Sequence, residues 1–104
     1  MSKKLLVIVS VLMVAVFVLS ACAKSTSAGF KACEVTDTGG VDDKSFNATA
    51  WKGAQDAAKE LKIEAKYLES KEVADFEKNI NAFVEEKCDI IITVGFLLGD
   101  ATKA

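Results

Sequence analysis

The chain has no histidine and no proline among its 104 residues, and lysine supplies all 13 of its basic side chains. Without an imidazole it lacks the commonest general base near neutral pH, and a nucleophilic Cys33 or Cys88 would have no such partner to activate it. Without arginine or a basic patch there is nothing to clamp a phosphate or read a base edge, so nucleic acid is not expected as a partner. Two further patterns are missing. A phosphate loop ending at Lys44-Ser45 would need glycines where Thr38 and Asp43 stand. Asp37, Asp42 and Asp43 are not spaced as an EF-hand, and aspartates gather at helix starts anyway through capping and the helix dipole. These absences argue against an enzyme, and no cofactor or metal is expected.

What is present begins at the amino end. Lys3 and Lys4 precede an apolar run from Leu5 to Leu19, interrupted only by Ser10, and the run closes on Leu19-Ser20-Ala21-Cys22. This is the pattern of a lipoprotein export signal: cations hold the start on the inner membrane face, the run partitions into the bilayer, and small residues admit a peptidase. Cys22 then supplies the thiol that takes a diacylglycerol, whose two acyl chains are enough for stable anchoring. A transmembrane helix is the poorer reading, since about fifteen residues at a rise of about 1.5 Å span about 22 Å, short of a hydrocarbon core of about 30 Å. The expected organisation is a signal peptide over 1–21, a flexible tether over 22–29 and a folded part over 30–104. The expected location is the outer face of the cytoplasmic membrane. The formal charge of −2 becomes more negative once Lys3 and Lys4 are removed.

The folded part reads as β-α-β-α-β. A strand-like run from Phe30 to Thr36 ends in the loop 37–44, and a helix starts near Ser45. Phe46, Ala50, Ala54, Ala57 and Leu61 recur at helical spacing with Trp51 on their shoulder. A second strand, 63–68, alternates clearly. Ser70 is the expected N-cap of a second helix whose buried stripe is Val73, Phe76, Ile80, Phe83 and Val84. The third strand, 88–94, is apolar on both faces, a pattern that belongs in the middle of a covered sheet. The pattern is that of an α/β fold, right-handed crossovers leave few ways to wind it, and a parallel sheet in the order 2-1-3 with helices on its flanks is expected. Gly95 to Asp100 form the following loop, and Ala101 to Ala104 open a further helix.

Open α/β sheets bind ligands at the carboxyl ends of their strands, so the loop after the first strand is the candidate site. The two cysteines beyond Cys22 face an oxidising space. Setting Asp37 beside Gly95 puts Cys33 level with Ile91 and Cys88 level with Phe30, about 11 Å apart for a rise of about 3.3 Å and a strand spacing of about 4.8 Å. That is beyond the reach of a disulfide, about 7 Å between Cα atoms, so free buried thiols are expected. Phe76 and Phe83 are core by spacing; composition alone puts Phe46 with them.

At Asp37-Thr38-Gly39-Gly40-Val41-Asp42-Asp43-Lys44-Ser45-Phe46-Asn47, followed by Ala50-Trp51 and Gly53, the chain closely resembles the basic membrane protein family of substrate-binding lipoproteins. That family includes purine nucleoside receptors serving ATP-binding cassette transporters. Cys88 to Phe96, with Gly99-Asp100-Ala101, is similar to its next turn. The resemblance implies a type I periplasmic-binding-protein fold, of which 30–104 is an incomplete amino-terminal lobe, and a chain that stops short, as a truncated reading frame would. It implies that Phe46 stacks on the ligand base, which overturns the reading from composition, and that Asp37 and Asn47 hydrogen-bond the ligand. Gly95 and Asp100 are implied as further ligand contacts. The implied partners are a purine nucleoside, a transporter permease, and the membrane through the lipid on Cys22. The alternative reading is a surface lipoprotein stub that acts through protein contacts and binds no ligand.

Overall fold

A computed structural model describes residues 2–8 and 29–104. Residues 3–8 are helical; the rest of the expected signal, Cys22 and most of the expected tether lie outside the described residues. Among those described, no helix is long and apolar enough to cross a membrane.

The lobe runs β1 (Lys31–Val35), α1 (Phe46–Leu61), β2 (Glu64–Leu68), α2 (Asp75–Glu85), β3 (Ile90–Thr93), a 3-10 turn (Phe96–Leu98) and α3 (Gly99–Lys103). The three strands form one sheet in the order β2-β1-β3, and both pairings are parallel. Parallel pairing needs a crossover between strands, and α1 and α2 are those crossovers. Alternate residues of β1 therefore serve two faces. Cys33 and Val35 enter a core with Phe76 and Phe83 of α2 and with Leu98, and Ile80, Leu68 and Ile91 pack against it. Ala32 and Glu34 face the other way, beneath α1.

β1 is buried almost throughout and is the central strand. β3 carries the apolar pattern of a central strand yet lies at an edge, with Ile90 45% exposed. The pattern reports apolar surface that wants cover; which strand takes the middle is decided by pairing.

α1 starts where the sequence indicates, but the capping group is Asp43. Its carboxylate accepts the backbone N–H groups of Ser45 (2.8 Å), Asn47 (3.0 Å) and Ala48 (2.9 Å), while the Ser45 side chain makes no cap. The N–H of Ala48, with those of Ser45 and Asn47, holds the Asp43 carboxyl below its ordinary value. This docking turns the helix so that Asn47 and Ala54 are buried, whereas Phe46 and Leu61 at the ends of the expected stripe are exposed. The expected start of α2 also shifts. Ser70 is buried and accepts from Asn79 Nδ2 at 3.1 Å; Asp75, at the helix start, accepts from the N–H groups of Lys71 and Glu72. Val73 lies before the helix and is exposed, as is Val84.

Cys33 and Cys88 form a disulfide with their Cα atoms 6.2 Å apart, contrary to the expectation of free thiols. The expected register was correct, since Cys33 pairs with Ile91. The error lay in extending β3 back to Cys88. The chain leaves α2 through a Schellman turn: Lys87 takes a left-handed φ of 59°, its N–H bonds Val84 O, and the N–H of Cys88 reaches Phe83 O at 3.0 Å. That turn folds Cys88 back over the core beside Cys33, and the strand begins two residues later.

Two predictions follow from this architecture. Because the bridge closes a loop with a sequence separation of 55, the chain-entropy relation predicts that Cys33→Ser with Cys88→Ser lowers stability by about 4 kcal/mol; denaturant titration with and without reductant measures it. Asp43→Ala is expected to lower the melting temperature more than Asp42→Ala at neutral pH. That difference fades as the pH falls below about 3.8, where the depressed Asp43 carboxyl takes up its proton.

Candidate functional site

The carboxyl ends of β1 and β3 converge on one loop. Thr36 continues β1 by donating its N–H to Leu68 O at 3.0 Å, and its hydroxyl bonds Asp37 O at 2.9 Å, which locks the backbone just before the site. Farther along the loop, Gly40 has φ 73° and passes so close to Glu69 that an added Cβ would lie 3.1 Å from Oε1. The same Glu69 oxygen accepts the N–H of Val41 at 3.0 Å, and Lys71 pairs with the other at 2.9 Å. Lys71 first, then the Val41 N–H, hold the Glu69 carboxyl below its ordinary value.

Asp37 stands at the centre of this arrangement. Its Oδ1 accepts the Gly39 N–H at 2.9 Å and Asn47 Nδ2 at 2.7 Å. Oδ2 lies against Gly95, where φ is 105° and a Cβ would come within 2.6 Å of it. Position 95 therefore needs glycine twice over, for the backbone angle and for the carboxylate beside it.

Asp37, Phe46, Val94, Gly95 and Phe96 line a pocket of about 390 Å³. Phe46 is 70% exposed and Phe96 92% exposed, so two phenyl rings rim the pocket while a carboxylate forms part of its lining. Of the residues singled out in the sequence, Asp37, Phe46 and Gly95 meet here. Asn47, expected as a ligand contact, stands behind them, buried, with its Nδ2 bonded to Asp37. Asp100 is elsewhere: it opens α3 and lines a separate depression with Val73, Phe76 and Leu97. Phe96 and Val94 were not singled out. The signal for Phe96 was its place directly after a glycine at a strand end, where a tight turn throws the side chain outward.

Beneath the loop lies a feature that the sequence reading passed over. Glu34 is fully buried in β1, and burial, aided by the negative charge of Asp43, pushes its carboxyl up to about 7. Its two oxygens and Asn47 Oδ1 are the buried side-chain polar atoms without a hydrogen-bond partner among the described residues.

An open pocket with aromatic rims and an acceptor suits a flat, polar-edged molecule. Among the described residues no group of three histidine, cysteine or acidic side chains is placed to hold a metal ion.

Residues 30–104 match the family described as ABC transporter substrate-binding protein PnrA-like (Bmp). A CD4+ T-cell-stimulating antigen of Listeria innocua is 39% identical over 101 residues, covering 83% of this chain and 28% of that protein. The ABC transporter nucleoside-binding protein BmpA of Lactococcus lactis is 31% identical over 116 residues, covering all of this chain and 33% of the relative. A solved fragment from Peptoclostridium difficile 630, described as a lipoprotein, shares the fold with a TM-score of 0.64 at 23% identity, covering 71% of this chain and 61% of the fragment. The chain thus spans a third or less of the length of the curated relatives named here. With the family match running from the first strand to the last residue, the chain belongs to the PnrA-like substrate-binding proteins of ABC transporters.

Proposed function

We propose that this chain is the amino-terminal part of the solute-binding component of a nucleoside importer, held outside the cytoplasmic membrane by lipid on Cys22, and that its solute is a purine nucleoside. The observation that carries the reading is the pocket itself. Phe46 and Phe96, both exposed at the pocket, supply phenyl rings on which a planar base can stack, and Asp37, pinned through Oδ1, keeps Oδ2 for a donor on the ligand. The name of the Lactococcus lactis relative, a nucleoside-binding protein, supports a nucleoside as the ligand.

One wall of aromatics cannot bury most of a ligand, as small-molecule sites do. The second wall is assigned to the part of the family's length that this chain does not span, closing over the pocket as a second lobe and presenting the loaded protein to a permease. Gly95 contributes by letting the ligand and the Asp37 carboxylate approach the backbone. Asp100, which lines the separate depression by α3, is not counted among the contacts of this pocket.

Calorimetric titration with guanosine, inosine, adenosine and uridine tests the reading. Purines are expected to bind more tightly than uridine. With the second wall in place, Phe46→Ala is expected to weaken guanosine binding by about 1 to 3 kcal/mol, the range for one base-aromatic stack. Asp37→Ala should cost a similar amount because it leaves a ligand donor unpaired, whereas Asp42→Ala should change little. Unchanged affinity in Phe46→Ala, or a greater loss in Asp42→Ala than in Asp37→Ala, would show that the ligand lies on another side of the loop. The anchor is tested separately: Cys22→Ser should abolish palmitate incorporation and leave an unprocessed precursor, and continued labelling would overturn the assignment.

A further inference from the structure

Glu34 sits mid-strand in β1, in register with Tyr67 of β2 and Ile92 of β3. Its neighbours Cys33 and Val35 enter the core beneath α2, so the strand's alternation turns Glu34 to the opposite face. Tyr67 identifies that face: its ring meets Trp51 of α1 with centroids 4.8 Å apart. The carboxyl of Glu34 is therefore roofed by α1 in the middle of the sheet, and it is 0% exposed. Around it the sheet-facing residues of α1 carry no charge, while Lys52 and Asp56 of that helix pair with each other in solvent. Tyr67 is the titratable neighbour on β2; Lys66 faces away and bonds Glu86 at 2.7 Å. β3 contributes no ionisable group. The charge that Glu34 does feel is that of Asp43, which accepts the N–H of Asn47 at 3.0 Å.

Under α1, then, there are three buried acceptor atoms, Glu34 Oε1, Glu34 Oε2 and Asn47 Oδ1, and no donor assigned to any of them. Leaving such atoms unsatisfied costs free energy, and a single proton reduces the mismatch: a neutral carboxyl gains one O–H donor, which can serve Asn47 Oδ1, and it carries no buried charge. The Asn47 amide cannot help by turning over, since that would set its oxygen against the Asp37 carboxylate that Nδ2 now binds at 2.7 Å.

We propose that Glu34 is a positioning residue of the binding loop: in its neutral form it donates a hydrogen bond to Asn47 Oδ1, and so holds the amide whose Nδ2 fixes Asp37 in the pocket. Loss of the proton leaves a buried charge facing a carbonyl oxygen, loosens Asn47, and frees Asp37 to swing from its place beside Gly95. The sign follows from the raised acid: the neutral form favours the fold, so this contribution is full below about 4.5 and is lost as the pH rises through about 7.

Carbon-detected NMR of the whole chain tests this without any ligand. The Glu34 carboxyl carbon should titrate near 7, and the side-chain NH2 signals of Asn47 should move with the same midpoint. Glu34→Gln keeps a donor and removes the titration, so its Asn47 signals should stay at their acid wild-type positions at every pH, and the pH slope of stability between about 4.5 and about 7 should vanish. Glu34→Leu keeps the bulk without the donor, and exchange of the Asn47 amide protons should be faster. An Asn47 amide indifferent to pH in the wild type, or a Gln variant that behaves like the Leu variant, would overturn the proposal. If Leu unfolds the chain, the wild type and the Gln variant still decide. A second arm rests on the nucleoside reading above: guanosine should bind several-fold more weakly at about pH 8.5 than at about pH 5.5 in the wild type and equally at both in Glu34→Gln. Absence of guanosine binding at either pH counts against that reading alone and leaves the NMR result to judge this one.

Discussion

The hydrogen bond from Asn47 Nδ2 to Asp37 Oδ1 ties together the three segments that make the pocket. Asp37 ends the extension of β1, Asn47 belongs to the first turn of α1, and the carboxylate that joins them lies against the backbone of Gly95 beyond β3. Each partner is fixed by something else. Asn47 is set by the docking of α1 on Asp43, and Asp37 by the Thr36 hydroxyl and the Gly39 N–H. Phe46 is exposed because its neighbour is buried: a helix cannot turn Asn47 inward without turning residue 46 toward the strand ends. The exposure of the phenyl ring and the burial of the amide are one event.

Much of this could be read from the residues. Apolar spacing distinguished helices from strands, and the crossover rule left few arrangements, among them the expected and observed β2-β1-β3. The strand-end loop was visible as the place where polar residues and glycines gather. The features that escaped reading share a physical origin, which is rotation by a fraction of a turn. Spacing gives the period of α1 and the middle of its buried face, where Ala54 is buried, but not its ends: Asn47 rather than Phe46 is buried at the start, and Leu61 is exposed. Lys87 gives no sign of its left-handed conformation, since glycine is the usual residue there, yet that angle places Cys88. A strand that is covered on both faces hides the meaning of alternation as well, so Glu34 looked like any polar residue in an extended run.

The mixture of strict and permissive positions follows from the same geometry. Gly95 and Gly40 are held to glycine by positive φ and by carboxylates that occupy the space of a side chain. Gly53 and Gly99 meet nothing where a side chain would stand. Of these four glycines, Gly95 is the one that lines the pocket.

The disulfide lies toward the other end of the sheet from the pocket. Cys33 is at the middle of β1 and Cys88 comes just before β3 begins, whereas the pocket opens beyond the ends where both strands finish. The covalent link therefore acts as a foundation: it binds the floor of the lobe into a single block and leaves the rim, where Phe46 and Phe96 stand, joined only by hydrogen bonds. Permanence thus sits at the base of the lobe, and reversible bonds sit at the mouth of the pocket.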